Sequence, residues 1–172
     1  MKRIGIISDT HGVVHPAVHA VFANVDHIVH AGDIGGEDVL DALRELAPVT
    51  AVEGNNDDAT GEDILRTKLG TLRILLTHIL PRPRKLDARV IASLRGEPAD
   101  LVVFGHSHLP HNEVLDGIRY FNPASAGPRR FNFPVSVGIF EKKSREWTSV
   151  HVALDERSVD ALKKWMNQLS RR

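Results

Sequence analysis

The stretch Ile4-Gly5-Ile6-Ile7-Ser8-Asp9-Thr10-His11 decides the fold of this chain. A short apolar run that ends in an acidic residue is typical of a buried strand. Similar apolar runs recur at residues 26–30, 49–52, 72–77 and 99–104, and each is followed by polar residues. Stretches with apolar residues at helical spacing separate most of these runs. The first two-thirds of the sequence therefore predicts strands that alternate with helices.

The last third of the sequence has a different pattern. Asp116-Gly117 lies between residues 111–115 and 118–121, and an Asp-Gly pair between apolar runs predicts a hairpin. Residues 135–140 and 147–152 flank a charged turn and predict a second antiparallel pair. An apolar stripe from Val159 to Leu169 predicts a closing amphipathic helix. Because no linker interrupts the pattern, we expect one α/β domain over residues 1–172.

Composition excludes several classes of protein. The chain is 42% hydrophobic and 26% charged, which argues against a disordered or fibrous protein. Its 22 basic residues offset 22 acidic ones, so a nucleic-acid partner is not expected. The absence of cysteine excludes thiolate ligands and thiolate nucleophiles. No apolar run is long enough to cross a membrane, and Asp9 comes too early for a signal peptide, so we expect a cytoplasmic protein.

Polar residues follow five of the predicted strands. The carboxyl ends of parallel strands share one edge of a sheet, so these residues are expected to meet there. Each motif alone has a more ordinary explanation as a turn or as an interior histidine. Their order after successive strands favours a site for two divalent metals, with one carboxylate shared between the ions. The predicted ligands are Asp9, His11, Asp33, Asn55, His78, His106 and His108. Gly32, Gly54 and Gly105 each precede a ligand, where we expect the backbone to turn sharply.

These motifs resemble those of the calcineurin-like metallophosphoesterases. The chain is most similar to the small bacterial and archaeal phosphodiesterases of that family, and residues 122–125 and Pro128-Arg129 add to the likeness. The resemblance covers about residues 1–152. It implies a two-layer mixed β-sandwich flanked by helices, in four layers of the order α/β/β/α. It also implies a dinuclear metal site at the edge of the sheets.

The resemblance further implies a division of the ligands. Asp9, His11 and His108 would hold one ion. Asn55, His78 and His106 would hold the other, and Asp33 would bridge the two. Manganese is the expected metal, with iron, nickel, zinc or cobalt as other occupants. The implied reaction is hydrolysis of a phosphate ester by a hydroxide that bridges the metals, with Asp33, Asn55 and His106 as catalytic residues.

Two positions depart from the family pattern. Asn56 stands where many relatives have a histidine that helps to protonate the leaving group. An amide cannot act as a general acid, so we expect phosphodiesters with good leaving groups to be preferred. The fourth motif reads His78-Ile79-Leu80-Pro81 where relatives often have His-Gly-His. Asn56 and Arg129 are the predicted substrate contacts.

Other functions are compatible with the sequence. The retromer subunit of the same fold serves as a scaffold, so a binding module is the first alternative to an enzyme. A nuclease module is the second, although the zero net charge argues against it. The expected partner of the enzyme is a small phosphodiester. The stripe from Val159 to Leu169 also allows a contact between two copies of the chain.

Overall fold

The computed structural model describes residues 1–58, 63–80, 83, 86, 88–144 and 146–169. Strands and helices alternate over the first two-thirds of these residues, and antiparallel strands dominate the rest. In chain order the elements are β1 (Arg3–Ile7), α1 (Ala17–Phe22), β2 (His27–His30), α2 (Glu37–Arg44), β3 (Val49–Ala51), β4 (Ile64–Leu69), β5 (Leu72–Thr77), α3 (Ala88–Gly96), β6 (Leu101–Val103), β7 (His111–Leu115), β8 (Ile118–Asn122), β9 (Ser136–Lys143), β10 (Glu146–Ala153) and α4 (Glu156–Leu169).

The strands form two mixed sheets of five strands each. The first has the order β10-β9-β1-β2-β3, and the second has the order β4-β5-β6-β8-β7. β1, β2 and β3 run parallel to one another, as do β5, β6 and β8. Antiparallel strands complete both sheets. The predicted α/β fold with two mixed sheets flanked by helices is therefore confirmed.

Alternation along the strands separates the layers of the fold. Ile4 and Ile6 of β1 are fully buried in a cluster with Ile74 and Leu76 of β5, so these side chains fill the space between the sheets. Ile7 belongs instead to a cluster with α1 and α2. In the second sheet, Leu75 of β5 and Val102 of β6 form a third cluster with Val90 of α3. Each sheet therefore buries one face against the other sheet and the opposite face against helices.

The hairpin predicted at Asp116-Gly117 is present. Leu115 pairs with Ile118, and both turn residues have positive φ, 50° for Asp116 and 79° for Gly117. These angles match the right-handed twist of the flanking strands. The second antiparallel pair is longer than predicted, because β9 continues to Lys143 and β10 begins at Glu146.

Strand β4 was not predicted. Its sequence, Ile-Leu-Arg-Thr-Lys-Leu, carries two basic residues and gives a weak apolar signal. It lies at the edge of the second sheet and pairs only with β5. Charged residues suit such an edge because they discourage pairing with other chains. No helix in the described parts of the chain has the length and apolar character needed to span a membrane.

Candidate metal centre

The seven predicted ligands follow strands of both sheets. β1, β2 and β3 of the first sheet lead to Asp9, Asp33 and Asn55, and β5 and β6 of the second lead to His78 and His106. These strands are parallel within each sheet, so their carboxyl ends lie along one edge of the sandwich. The site is therefore built where the two sheets meet rather than at the edge of a single sheet.

Four of the predicted ligands form one compact group. Asp9, His11, Asp33 and His108 each offer a ligand atom, and these atoms all lie within 4.8 Å of one another. His108 Nε2 is 3.2 Å from Asp9 Oδ1 and 3.3 Å from His11 Nε2. Asp9 is held in place because the His106 backbone N–H and the Ser8 hydroxyl donate to its carboxylate. Two carboxylates and two imidazoles in this arrangement suit a divalent cation.

The other three predicted ligands form a second, adjacent group around the Asn55 side chain. Asn55 Oδ1 is 2.8 Å from His106 Nδ1 and 3.2 Å from His78 Nε2. His78 Nδ1 lies 2.7 Å from the carbonyl oxygen of Ala31, which can only accept a hydrogen bond. In the neutral ring the proton is therefore on Nδ1, and the lone pair of Nε2 points toward the cluster.

The lone pair of His78 meets two other electron-rich atoms. Asn55 Oδ1 lies 3.2 Å from His78 Nε2, and Asp33 Oδ1 lies 3.4 Å from it. Three acceptors that converge in this way repel one another unless a proton or a cation lies between them. A divalent metal fits this position, because imidazole nitrogen and carboxylate or amide oxygen are its usual protein ligands. The residues present therefore fit a metal in the second group as well as in the first.

Asp33 contacts both groups. Its Oδ2 lies 3.8 Å from His11 Nε2, and its Oδ1 lies 3.4 Å from His78 Nε2. Asn56 donates from its backbone N–H and from its side-chain amide to the two oxygens, at 2.9 and 2.7 Å. Burial alone would raise the pKa of Asp33, but these hydrogen bonds and the nearby histidines outweigh it and lower the pKa. Asp33 is therefore held as a carboxylate, and Asn56 positions it.

The backbone at the site adopts uncommon conformations. Five of the predicted ligands have φ between 48° and 66°, in the left-handed region that non-glycine residues rarely adopt. Asp and His tolerate this region better than most residues, yet each instance costs on the order of 1 kcal/mol. These residues are Asp9, His11, Asp33, His106 and His108. Such a concentration of strained residues is typical of functional sites.

Gly54 and Gly105 are required for space. A Cβ on Gly54 would lie 2.2 Å from the backbone nitrogen and from Oδ1 of Asp33. A Cβ on Gly105 would lie 2.0 Å from the hydroxyl oxygen of Ser8 and 2.8 Å from Oδ2 of Asp9. At these two positions the glycine therefore lets neighbouring loops approach the ligands, rather than supplying a positive φ.

Asp57 fixes the loops that follow β2 and β3. Its Oδ2 accepts hydrogen bonds from the backbone N–H groups of Ile34 and Gly54, at 3.0 and 2.8 Å. Its Oδ1 accepts a third from Gly35, at 2.9 Å. Asp57 therefore ties the loop that carries Asp33 to the loop that carries Asn55.

Replacing Asp57 with alanine is expected to lower kcat/KM and metal affinity by about 10- to 100-fold, the usual cost of losing a residue that positions ligands. Steady-state kinetics on a phosphodiester and calorimetric titration with Mn²⁺ measure the two effects. Asp57→Asn keeps one acceptor oxygen and should fall between the alanine variant and the wild type. Asp160→Ala, which changes an exposed carboxylate on α4, is the control. Wild-type values for Asp57→Ala would contradict this role.

Arg129 and Arg130 have different environments. Arg129 donates to both carboxylate oxygens of Asp155 at 2.7 Å, to the Ser158 hydroxyl at 2.9 Å and to the carbonyl of Phe133 at 2.8 Å. The structure therefore uses Arg129 to join its loop to the start of α4 and does not aim it at the ligands. The exposed Arg130 instead brings Nη2 to 3.4 Å from His11 Nε2. Burial, opposed by Asp33 and assisted by Arg130, lowers the pKa of His11.

A cavity of about 320 Å³ opens beside the second group of ligands. Asn55 and His78 line it together with Glu53, Thr77 and Ile79. A larger groove of about 650 Å³ lies between β10 and α4, and none of the predicted ligands lines it. Of these two spaces, only the smaller one reaches the predicted ligands.

The family of the chain follows from comparison with known proteins. Residues 1–145 match the family model of the calcineurin-like phosphoesterase superfamily domain. The chain belongs to this superfamily. A protein of Methanocaldococcus jannaschii named as a probable metallophosphoesterase is 35% identical, over 71% of this chain and 67% of its own length. The phosphodiesterase YfcE of Escherichia coli K12 is 28% identical, over 94% of this chain and 97% of its own.

Comparison with solved structures supports the fold. Vacuolar Protein Sorting 29 from Cryptosporidium parvum matches 88% of this chain and 96% of its own, with a TM-score of 0.68 and 16% identity. At this identity the likeness concerns the fold alone. Membership of the metallophosphoesterase superfamily implies divalent metal ions, and the convergent donors around His78 and Asp33 fit them.

Proposed function

We propose that this member of the superfamily is a phosphodiesterase that hydrolyses a small phosphodiester by attack of a hydroxide bridging two divalent metals. The single observation that carries the proposal is the convergence of acceptor atoms on His78 Nε2, directly beside the first group with its four ligand atoms. This arrangement is electrostatically unfavourable without a cation, so it supports a metal-dependent activity.

The two groups of side chains support the division of ligands that the family resemblance implies. Asp9, His11 and His108 would hold one ion. Asn55, His78 and His106 would hold the other. Asp33 would bridge the ions, because each of its oxygens faces a different group.

The protein's own residues prepare the site for the reaction. The Ala31 carbonyl fixes the proton of His78 on Nδ1, and Asn56 keeps Asp33 ionised and oriented. When bound, the metal ions would supply Lewis acidity to the phosphoryl group and acidify the attacking water. Manganese is the metal we propose, with iron, nickel, zinc and cobalt as the other candidates for the same set of ligands.

The proposed preference for good leaving groups rests on Asn56. Its side-chain amide donates to Asp33 Oδ2 at 2.7 Å and has no proton of suitable pKa to give to a leaving group. Substrates whose leaving group is a weak base should therefore react fastest. The names of relatives such as the phosphodiesterase YfcE also support a diester substrate.

Hydrolysis of bis(p-nitrophenyl) phosphate in the presence of Mn²⁺ is expected, and a chelator should abolish it because it removes the source of the nucleophile. With p-nitrophenyl phosphate, the matching monoester, we expect a lower kcat/KM, and because both esters release p-nitrophenolate this difference tests the diester preference separately from the role of Asn56. Release of p-nitrophenolate measures both reactions, and readdition of each candidate metal identifies the best cofactor.

Any of three results would contradict the proposal. Turnover that survives complete removal of metal would exclude the dinuclear mechanism. No turnover of either ester with any of the five metals would favour the scaffold. Cleavage of duplex DNA in preference to both esters would favour the nuclease.

A further inference from the structure

The loop that follows β8 brings a second set of functional side chains to the His11 side of the cluster. Arg130 is exposed, and its Nη2 lies 3.4 Å from His11 Nε2. Among the described residues it forms no ion pair with a carboxylate, whereas its neighbour Arg129 is paired with Asp155. An anion placed between a cation site and an unpaired guanidinium group stabilises both positive charges. Phosphate is a suitable anion, because guanidinium groups bind it well.

Phe131, the next residue, is placed in a way that packing does not explain. Its side chain is 84% exposed, and its φ of 52° is a genuine outlier for a bulky residue. The ring is supported from one side, because it lies 5.6 Å from the ring of Phe133, which lies 6.2 Å from that of Trp165 on α4. An aromatic ring held open to solvent on a supported loop is suited to stacking on a planar group.

The positions of this loop and of the cavity match the two substituents of a phosphodiester. The cavity of about 320 Å³ lies beside Asn55 and His78, in the second group of ligands. Arg130 lies instead next to His11 in the first group, and Phe131 is its neighbour in the chain. A phosphoryl group between the two groups of ligands would direct one substituent toward the cavity and the other toward the loop.

We propose that Arg130 binds the phosphoryl oxygens of the substrate and that Phe131 stacks on a nucleobase, so that the preferred substrates are nucleoside phosphodiesters. This inference rests on the proposed phosphodiesterase activity and adds the class of substrate. Stacking on an aromatic side chain favours every base, because each base has a planar π face. The loop therefore selects for a base without selecting strongly among bases.

Two esters that share one leaving group test the inference. Thymidine 5′-(p-nitrophenyl phosphate) carries a base, and methyl p-nitrophenyl phosphate does not. The measured quantity is the kcat/KM of the thymidine ester divided by that of the methyl ester. We expect Phe131→Ala to lower this ratio about tenfold, mainly because KM of the thymidine ester rises. Phe131→Trp should preserve the ratio. Arg130→Ala should raise KM for both esters alike, by about tenfold, because both contain the phosphoryl group.

A binding measurement supports the kinetic one without turnover. Titration with thymidine monophosphate should quench the tryptophan fluorescence of Phe131→Trp more than that of the wild type. Inorganic phosphate should leave the fluorescence of the variant unchanged. Val114→Ala, which changes an exposed apolar side chain on β7, is the control for loss of surface hydrophobicity. The control should show the wild-type ratio of the two esters.

The outcomes separate this inference from the proposed function. If the wild type hydrolyses both esters and Phe131→Ala leaves their ratio unchanged, the stacking role is wrong and the phosphodiesterase function stands. If the wild type hydrolyses neither ester with any of the candidate metals, the function fails and the inference falls with it. If Phe131→Ala changes the sedimentation of the protein but not the ratio, Phe131 is a contact between copies of the chain and the inference is overturned.

Discussion

Replacing Asp33 with alanine is expected to lower kcat/KM for an aryl phosphodiester by about 10³-fold or more, which corresponds to about 4 kcal/mol of transition-state stabilisation. Asp33 Oδ2 lies 3.8 Å from His11 Nε2, and Asp33 Oδ1 lies 3.4 Å from His78 Nε2. The substitution therefore removes negative charge from both groups of ligands at once. Asp33 is the carboxylate whose two oxygens lie near imidazole nitrogens of different groups.

Two measurements check this expectation. Elemental analysis should show less metal bound per chain in Asp33→Ala than in the wild type, and kinetics should show the loss of turnover. Asp33→Asn retains the size of the side chain without its charge, so it separates a lost charge from a disturbed loop. Asp41→Ala, which changes a largely exposed carboxylate on α2, is the matched control. Unchanged turnover and unchanged metal content in Asp33→Ala would show that the dinuclear assignment is wrong.

The sequence predicted most of the strands because a continuous apolar run marks a strand that is buried on both faces. Residues 4–7 and 101–104 are such runs, and their strands lie in the middle of the two sheets. β4 was not predicted because an edge strand can carry charged residues, and these interrupt the apolar run. The assignment of strands to two separate sheets also lay beyond the sequence, since pairing depends on contacts between distant residues.

The sequence predicted which residues would meet, but not how they are supported. Chain order after successive strands was enough to bring Asp9, Asp33 and His78 together. The role of Asp57 depends on three backbone N–H groups, and the sequence does not show which backbone groups a side chain contacts. The adjacent residues Arg129 and Arg130 cannot be told apart by type. Only the position of Asp155, far along the chain, shows which of them is already paired.

Two partly or fully buried histidines should make the stability of the protein depend strongly on pH. Burial holds the pKa of His30 at about 4, against 6.5 for the free side chain. Its Nδ1 accepts from the Gly32 backbone N–H at 3.2 Å, which requires the neutral ring. Burial likewise holds the pKa of His151 at about 4, although a hydrogen bond to the carbonyl of Asn122 opposes it. His151 also stacks on Phe121, with the ring centroids 4.3 Å apart.

The direction of the pH effect follows from these values. Because the folded-state pKa lies below the unfolded one, the unfolded chain binds protons first as the pH falls. The stabilisation is complete above pH 6.5 and is lost between pH 6.5 and about 4. At 1.36 kcal/mol for each pH unit, His30 contributes about 3 kcal/mol, and the partly exposed His151 contributes less. Burial also lowers the pKa of His27, which adds to the loss in the same range.

We therefore expect the free energy of unfolding to fall by on the order of 5 kcal/mol between pH 6.5 and 4, a large share of the 5–15 kcal/mol of an ordinary domain. Urea unfolding at intervals across this range measures it, with a chelator present so that pH-dependent metal binding makes no contribution.

His151→Gln and His30→Asn each remove one titrating group, so each should flatten the pH dependence even where the variant is less stable at neutral pH. His19→Gln, which changes an exposed residue on α1, should keep the wild-type slope. If the slope is the same in the wild type and in both buried-site variants, protonation of these two histidines does not control acid unfolding. In that case a loss above pH 4 must come from other groups that gain protons in this range, of which His27 is one, because the carboxylates whose pKa is lowered contribute only near and below pH 4.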